Sequence, residues 1–444
     1  MRGPMADVAI YGSGFAGYTL AAAALEQGQR VIVVERGPRT DQRRSAELAR
    51  VHSPWELVQS GGRSGENGPG DRTPRLFGLG GTSLLWAGKW RRLDTVDFSR
   101  RQATRAWPIT ATDLEPFYRA AADRFGLDVD DRANMVPFRA LAEAEGLRLV
   151  RITLPQPVLR LDQAWTRLET HPNLQIITDV EHLDFELSQG AVKCAFAKVG
   201  NDGECIEISA SRHVITAGGI ASPYLIHRLS ERKSETPKPF LGGYMDHPKG
   251  PIGRLMPTRH IDDLDYMLES RDDIHVFALP EAELLESGIG NHSVFVWGEA
   301  RRNQSLRSRI CGRWLQLNIN CEQFPESANG ISLDDPPEVR WRISSATRRD
   351  IEAFLDRILP RISALFGPVK RADWVAMTGA SHPAGCTPLS ASPLGAELNA
   401  DGRLPTLANA FCVSSSGFPF AGSANPTLTV VALAERLAQT WYPG

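Results

Sequence analysis

An α/β fold, with one parallel-sheet domain built from separated chain segments and a second, inserted α+β domain on an antiparallel sheet, follows from three observations. First, residues 9–36, AIYGSGFAGYTLAAAALEQGQRVIVVER, run as an apolar strand, a glycine turn, a small-residue helix and a second apolar strand. Second, HVITAGGIASPYLIHRLS (213–230) is a buried strand, a glycine turn and a helix in mid-chain, a second unit of the same domain and not a repeat of the first, and SSSGFPFAGSANPTLTVVALAER (414–436) answers that first unit near the end of the chain. Third, residues 256–345 are rich in alternating segments such as WLQLNINCEQF and PEVRWRIS, which suit strands with one buried face. The chain has 444 residues, too many for a single core.

The first unit carries a nucleotide fingerprint. Gly12, Gly14 and Gly17 have the GxGxxG spacing: Gly12 for a tight turn, Gly14 for close approach of backbone N–H groups to a pyrophosphate, Gly17 for close packing of helix on strand. Glu35, closing the next strand, is placed to accept hydrogen bonds from a ribose diol. Residues 41–75, rich in Arg, Ser, Gly and Pro, read as a surface excursion, and 76–95 as a glycine-rich turn followed by an apolar run. Residues 107–127 read as a helix capped by Thr112. Short strands follow: LQIITDV, then LDFELSQGAVKCAFAK as a hairpin, then CIEISASRHVITAGG. A helix is expected over 346–366, kinked or divided at Pro360. The division predicted is 1–111, 166–255 and 373–444 for the nucleotide domain, and 112–165 with 256–372 for the inserted domain.

Composition excludes several classes. With 50 basic and 52 acidic residues, the net charge of −2 carries no nucleic-acid footprint, and the arginines of DQRRSAELAR and EARRNQSLRSR read as solvated surface. The six cysteines (194, 205, 311, 321, 386 and 412) show no CxxC or metal spacing. Cys194 and Cys205 flank a hairpin, yet reduced core cysteines are the expectation. No HxH, HExxH or paired-carboxylate motif suggests a metal, and His52, His171, His213, His227, His260, His275 and His292 form no cluster. No apolar run reaches the roughly 20 residues of a membrane span. MRGPM leads straight into a buried strand, with Met5 a candidate start, so no signal peptide, a cytoplasmic location and no membrane partner are expected.

Five blocks, in order along nearly the whole chain, resemble the glucose–methanol–choline family of FAD-dependent alcohol oxidoreductases, nearest its branch of pyranose-oxidase and polyol-dehydrogenase type. They are GSGFAG (12–17), GLGGTSLLWAG (78–88), TAGGIASPYLI (216–226), GYMDHP (243–248), and SHPAGC with SANPTLT (381–386 and 423–429). The resemblance implies a Rossmann-type FAD-binding domain and hydride transfer from a carbinol carbon to flavin N5. His382 would be the base, a role that imidazole suits because its ordinary pKa lies near working pH. Asn425 would donate a hydrogen bond to the substrate oxygen. It also implies that Phe15, Ala16 and Arg36 join the glycine motif and Glu35 along FAD. Gly80, Gly81, Ser83, Trp86, Ala87 and Gly88 would follow its isoalloxazine and diphosphate side, with Ala217 and Ser414 nearby. Val180 would pair with the adenine through its backbone, and Pro426 and Thr427 would open the last helix beside the flavin ring. His247, in the family-like MDHP, reads as structural.

The chain departs from the family in four ways. It is short and lacks an evident lid insertion; Trp86 stands where many members have Asn; Leu85 stands where pyranose-oxidase-type members carry a flavin-linking histidine; and Ser414 replaces a frequent Asp or Gly. Non-covalent FAD follows from Leu85. The substrate expected is the alcohol of a polar, polyhydroxylated small molecule, with oxygen or another electron acceptor left open. The alternatives are a flavin-dependent tailoring enzyme that dehydrogenates, aromatises or eliminates, and a flavoprotein subunit completed by a partner chain.

Overall fold

The structure is a computed structural model that describes residues 5–39, 77–99, 105–129, 136–200, 203–230, 240–298, 313–333, 337, 339–372, 377, 379 and 381–441. The surface excursion at 41–75, the basic stretch at 299–309, His52 and Cys311 lie outside the described residues.

A five-stranded parallel sheet has the order Ala410–Cys412, Ala210–Ile215, Ala6–Tyr11, Val31–Val34, Leu174–Ile177. Strands from both ends and the middle of the chain therefore make one sheet, as a discontinuous Rossmann-type domain requires. Helix Phe15–Glu26 is buried on almost every side, which its Ala21–Ala24 run permits because small side chains let neighbours approach from all directions. It packs on the last helix, Thr427–Trp441. A hairpin of Val180–Ser188 and Ala191–Val199 turns at Gln189 and Gly190, both with positive φ, the geometry that matches strand twist.

The second sheet is antiparallel, with the order Val369–Arg371, Lys249–Leu255, Leu315–Asn320, Ser293–Trp297, Asp273–Ala278, Arg148–Thr153. Leu315, Leu317 and Ile319 alternate with Gln316, Asn318 and Asn320. The apolar set is buried against Ile351, Phe354, Ile358 and Phe366 of helix Ser345–Phe366. Each such side chain contributes about 1.5–3 kcal/mol by leaving water. The polar set lies on the opposite face, with Asn320 opposite Ser293 and Lys249 across the neighbouring strands.

Several local expectations are corrected. The helix expected over 107–127 is Ala111–Phe125, and its cap is Thr110, not Thr112: the Thr110 hydroxyl accepts from Asp113 N while Asp113 reaches back, a capping box. This helix packs on Thr427–Trp441 through Tyr118–Thr429 and an Arg124–Glu435 ion pair. Helix Ser345–Phe366 runs undivided through Pro360, which sits on the exposed face, as does Asp356, whose carbonyl loses its amide partner there. Two short helices, Ile261–Glu269 and Glu281–Ser287, interrupt the region read as extended. They bury only Leu264, Met267 and Leu284, too few positions to show a helical period. The described cysteines are free, and Cys194 and Cys205 face Glu186 and Lys198, not each other.

Candidate active site

The glycine motif folds as its spacing requires. Gly12 has φ 118°, and a Cβ on Gly17 would lie 1.9 Å from the Gly12 carbonyl oxygen, so neither position admits a side chain. Gly14 caps helix Phe15–Glu26 with no side-chain acceptor, and the space where its Cβ would stand is open. The first-turn N–H groups of Phe15, Ala16 and Gly17 thus form a bare helix N-terminus, the arrangement that takes a phosphate. Ala217 follows Thr216, whose hydroxyl donates to the Gly12 carbonyl at 2.7 Å.

Glu35 is buried beside this turn. It accepts from Ser13 N and Gly37 N, each at 3.0 Å, and from Ser13 Oγ at 2.5 Å. Burial pushes its pKa up, against the lowering effect of those donors. Arg36 lies over the Phe77 ring at 5.3 Å. Val180 N donates to the Glu35 carbonyl at 3.2 Å. Gly80 and Gly81, both with positive φ, open the short helix Gly81–Leu84 close against Gly14. The Ser83 hydroxyl is committed internally: it donates to the Gly80 carbonyl at 2.7 Å and accepts from Leu161 N at 3.2 Å. Trp86 donates to the Leu159 carbonyl and packs on Phe15 at 4.6 Å, Ala87 is exposed, and Gly88, with φ 77°, abuts Val158. Ser414 is buried, accepting from Ser416 N at 3.2 Å. Pro426 and Thr427 stand at the start of helix Thr427–Trp441, with Val430 N bonded to the Pro426 carbonyl.

The candidate catalytic pair meets. His382 Nε2 and Asn425 Nδ2 are 3.1 Å apart. Behind His382 stands a group that the sequence did not single out as functional: His247, whose Nδ1 is 3.1 Å from His382 Nδ1. A two-residue antiparallel ladder brings them together, with Tyr244 opposite Gly385 and Met245 opposite Ala384. Continuing that register by two places sets His247 opposite His382. One carboxylate oxygen, Asp246 Oδ1, clamps both strands by accepting from His247 N at 2.7 Å and His382 N at 2.9 Å. Ser381 and Cys386, at the two ends of SHPAGC, both have positive φ, a strained backbone conformation for residues other than glycine. Asn320 Nδ2 lies 3.4 Å from His247 Nδ1 and donates to the Ser423 carbonyl at 2.7 Å, tying strand Leu315–Asn320 of the antiparallel sheet to the SANP turn.

Burial, then the charges of Arg91 and Lys249, push His247 down to about 3, so its ring is neutral at working pH. Lys89 is also pushed down, by burial and by Lys249. No group of His, Cys, Asp and Glu side chains that would hold a metal occurs among the described residues. Among them, too, no helix is long and apolar enough to cross a membrane.

The family model described as FAD dependent oxidoreductase matches residues 7–425, and the chain belongs to that family. It is 23% identical, over 97% of its length and 94% of the relative's, to a 2-methyl-1,2-propanediol dehydrogenase of Mycolicibacterium austroafricanum. Its fold is shared with pyridoxine 4-oxidase from Mesorbium loti (TM-score 0.66, 18% identity, 99% of each chain covered). It is also shared with formate oxidase (TM-score 0.66, 14% identity, 100% and 99% covered). These findings agree with the resemblance carried by the five sequence blocks. The cofactor is FAD, and the bare N-terminus at Gly14, the close-packed Gly12 and Gly17 and the buried Glu35 fit a dinucleotide.

Proposed function

We propose that this enzyme oxidises a CH–OH group of a polar, polyhydroxylated small molecule to a carbonyl, with His382 as the base and Asn425 as the donor that holds the substrate oxygen. The observation that carries this is the 3.1 Å approach of His382 Nε2 and Asn425 Nδ2, with the His382 ring fixed from behind. An acceptor and a donor converging on one point suit a hydroxyl, which gives its proton to Nε2 while its oxygen accepts from the amide. Developing alkoxide charge is stabilised by the same amide N–H.

FAD, when bound, supplies the two-electron acceptor for the hydride; the chain's residues handle the proton. Gly12, Gly14, Phe15, Ala16, Gly17 and Glu35 hold the dinucleotide end, and Gly80, Gly81, Trp86, Ala87, Gly88, Pro426 and Thr427 line the flavin side. With Leu85 at the position of a linking histidine, FAD is held non-covalently and is released on denaturation. The Asn318 and Asn320 amides, beside Phe295 on the same face of the antiparallel sheet, favour a substrate with hydroxyls to bond. The diol named for the relative in Mycolicibacterium austroafricanum points the same way.

The test is anaerobic titration of the flavin absorbance with diols, sugars and cyclitols. One of these classes is expected to bleach the flavin, and His382→Ala to slow bleaching by about 10²–10⁴-fold while retaining FAD. Unchanged bleaching in that variant refutes the base assignment.

A further inference from the structure

We infer that His247 is the positioning residue of the active-site pair: its Nδ1 accepts the Nδ1 proton of His382 and so holds the His382 Nε2 lone pair toward Asn425 and the substrate oxygen. This rests on His382 being the base.

With the Asn425 and Asn320 amide nitrogens turned toward the two rings, the proton count gives this arrangement. Asn425 Nδ2 is a donor only, so the His382 Nε2 that it meets at 3.1 Å carries a lone pair. A neutral His382 then has its proton on Nδ1. That nitrogen faces His247 Nδ1 at 3.1 Å, which must accept. Asn320 leads to the same result from the other side. Its amide Nδ2, also a donor only, points at the same His247 Nδ1 at 3.4 Å. Two independent amides, on a sheet strand and on the SANP turn, thus fix one direction for a chain of hydrogen bonds that runs inward from Asn425.

The backbone enforces the geometry. The register of Tyr244–Met245 on Ala384–Gly385 and the shared Asp246 Oδ1 acceptor leave the two imidazoles little freedom to slide. Gln323 Oε1 accepts from Asp246 N at 3.3 Å and from Trp341 Nε1 at 2.6 Å, which fixes the clamp in turn. His247 is 1% exposed, so water does not compete for its Nδ1. A carboxylate in this place would also orient the base but would set a full negative charge beside it. A neutral imidazole selects the tautomer without that charge.

The experiment uses FAD-loaded protein labelled with ¹⁵N-histidine, with the His382 signals assigned by their loss in His382→Gln. In the unsubstituted protein at neutral pH, His382 is expected in the Nδ1–H tautomer. His247→Leu, which removes the acceptor, should move it to the Nε2–H form or a mixture, whereas His247→Gln, which keeps an acceptor oxygen, should preserve Nδ1–H. With an alcohol that bleaches the flavin, His247→Leu should slow reduction by about 10–100-fold. The same change in a His382→Ala background should have no further effect, because His247 acts only through His382.

His382 found as Nε2–H in the unsubstituted protein overturns the inference. So does an unchanged tautomer in His247→Leu, or an equal rate loss in both backgrounds. If His247→Leu does not fold, the unsubstituted protein and His247→Gln still decide the tautomer. The tautomer needs no substrate: a panel in which nothing bleaches the flavin counts against the functional reading and leaves this result standing.

Discussion

Acid should destabilise this protein through two histidines buried in the neutral form, and His213 allows the effect to be measured separately. His213 is 1% exposed, and its Nδ1 meets the Tyr11 hydroxyl at 2.7 Å between strands of the parallel sheet. Burial pushes its pKa down to about 4. The unfolded chain takes up a proton near pH 6.5, whereas the folded chain refuses it until about 4, so the stability from this group is complete above 6.5 and drains away as pH falls toward 4. Between pH 7 and 5 the loss is about 2 kcal/mol for His213, at ~1.4 kcal/mol per unit of pH well below 6.5. His247, down to about 3, adds a similar loss over the same interval. Glu35 acts in the opposite sense. Its raised pKa contributes stability below the ordinary glutamate range that is lost as pH rises through the folded value, so total slopes mix signs. A difference between variants avoids that mixture. The assay is urea unfolding at fixed, saturating FAD at pH 7, 6 and 5 for the unsubstituted protein and His213→Gln. The variant is expected to be less stable at pH 7, having lost the Tyr11 contact, but to lose about 2 kcal/mol less between pH 7 and 5. Parallel pH dependences in the two proteins would refute the reasoning, because they would show His213 taking up no fewer protons in the folded state than in the unfolded chain.

Two further outcomes follow from packing and charge. Gly17→Ala sets a Cβ 1.9 Å from the Gly12 carbonyl oxygen, an overpacking of about 1–3 kcal/mol or more at the dinucleotide turn. The variant should purify with little FAD, which flavin absorbance per protein chain measures. Asp94 accepts from Arg91 at 2.6 Å, Arg148 at 2.9 Å and Asn291 at 2.7 Å; burial alone would raise its pKa, but the two guanidiniums hold it below the ordinary range. Asp94→Ala leaves the buried Arg91 without its carboxylate, while Arg148 keeps Glu281, and should cost about 3–5 kcal/mol, read as a lowered thermal midpoint; an unchanged midpoint would mean the cluster is solvated.

Features that act over a few residues, or recur as a motif, can be read from the chain alone. The GxGxxG turn is legible because Gly12 and Gly17 answer to steric limits set within one strand–turn–helix unit. The hairpin at Gln189–Gly190 and the alternation of Leu315–Asn320 are legible for the same reason: side-chain period and turn chemistry are local. The motif blocks named His382 and Asn425, residues 43 apart in the chain, whose ring and amide then meet at 3.1 Å. Short elements escaped. The cap at Thr110 and the helices Ile261–Glu269 and Glu281–Ser287 bury too few positions to print a period. The remaining features arise from contacts between distant segments. His247 reads as an ordinary buried histidine until a two-residue ladder, far too short to show in any pattern, sets it opposite His382, 135 positions away. The helix Ala111–Phe125 found its partner on Thr427–Trp441 in the same way. Such pairings depend on which of many compatible apolar faces and strand edges come into contact, a choice made by the packing of the whole chain and written in no single segment of it.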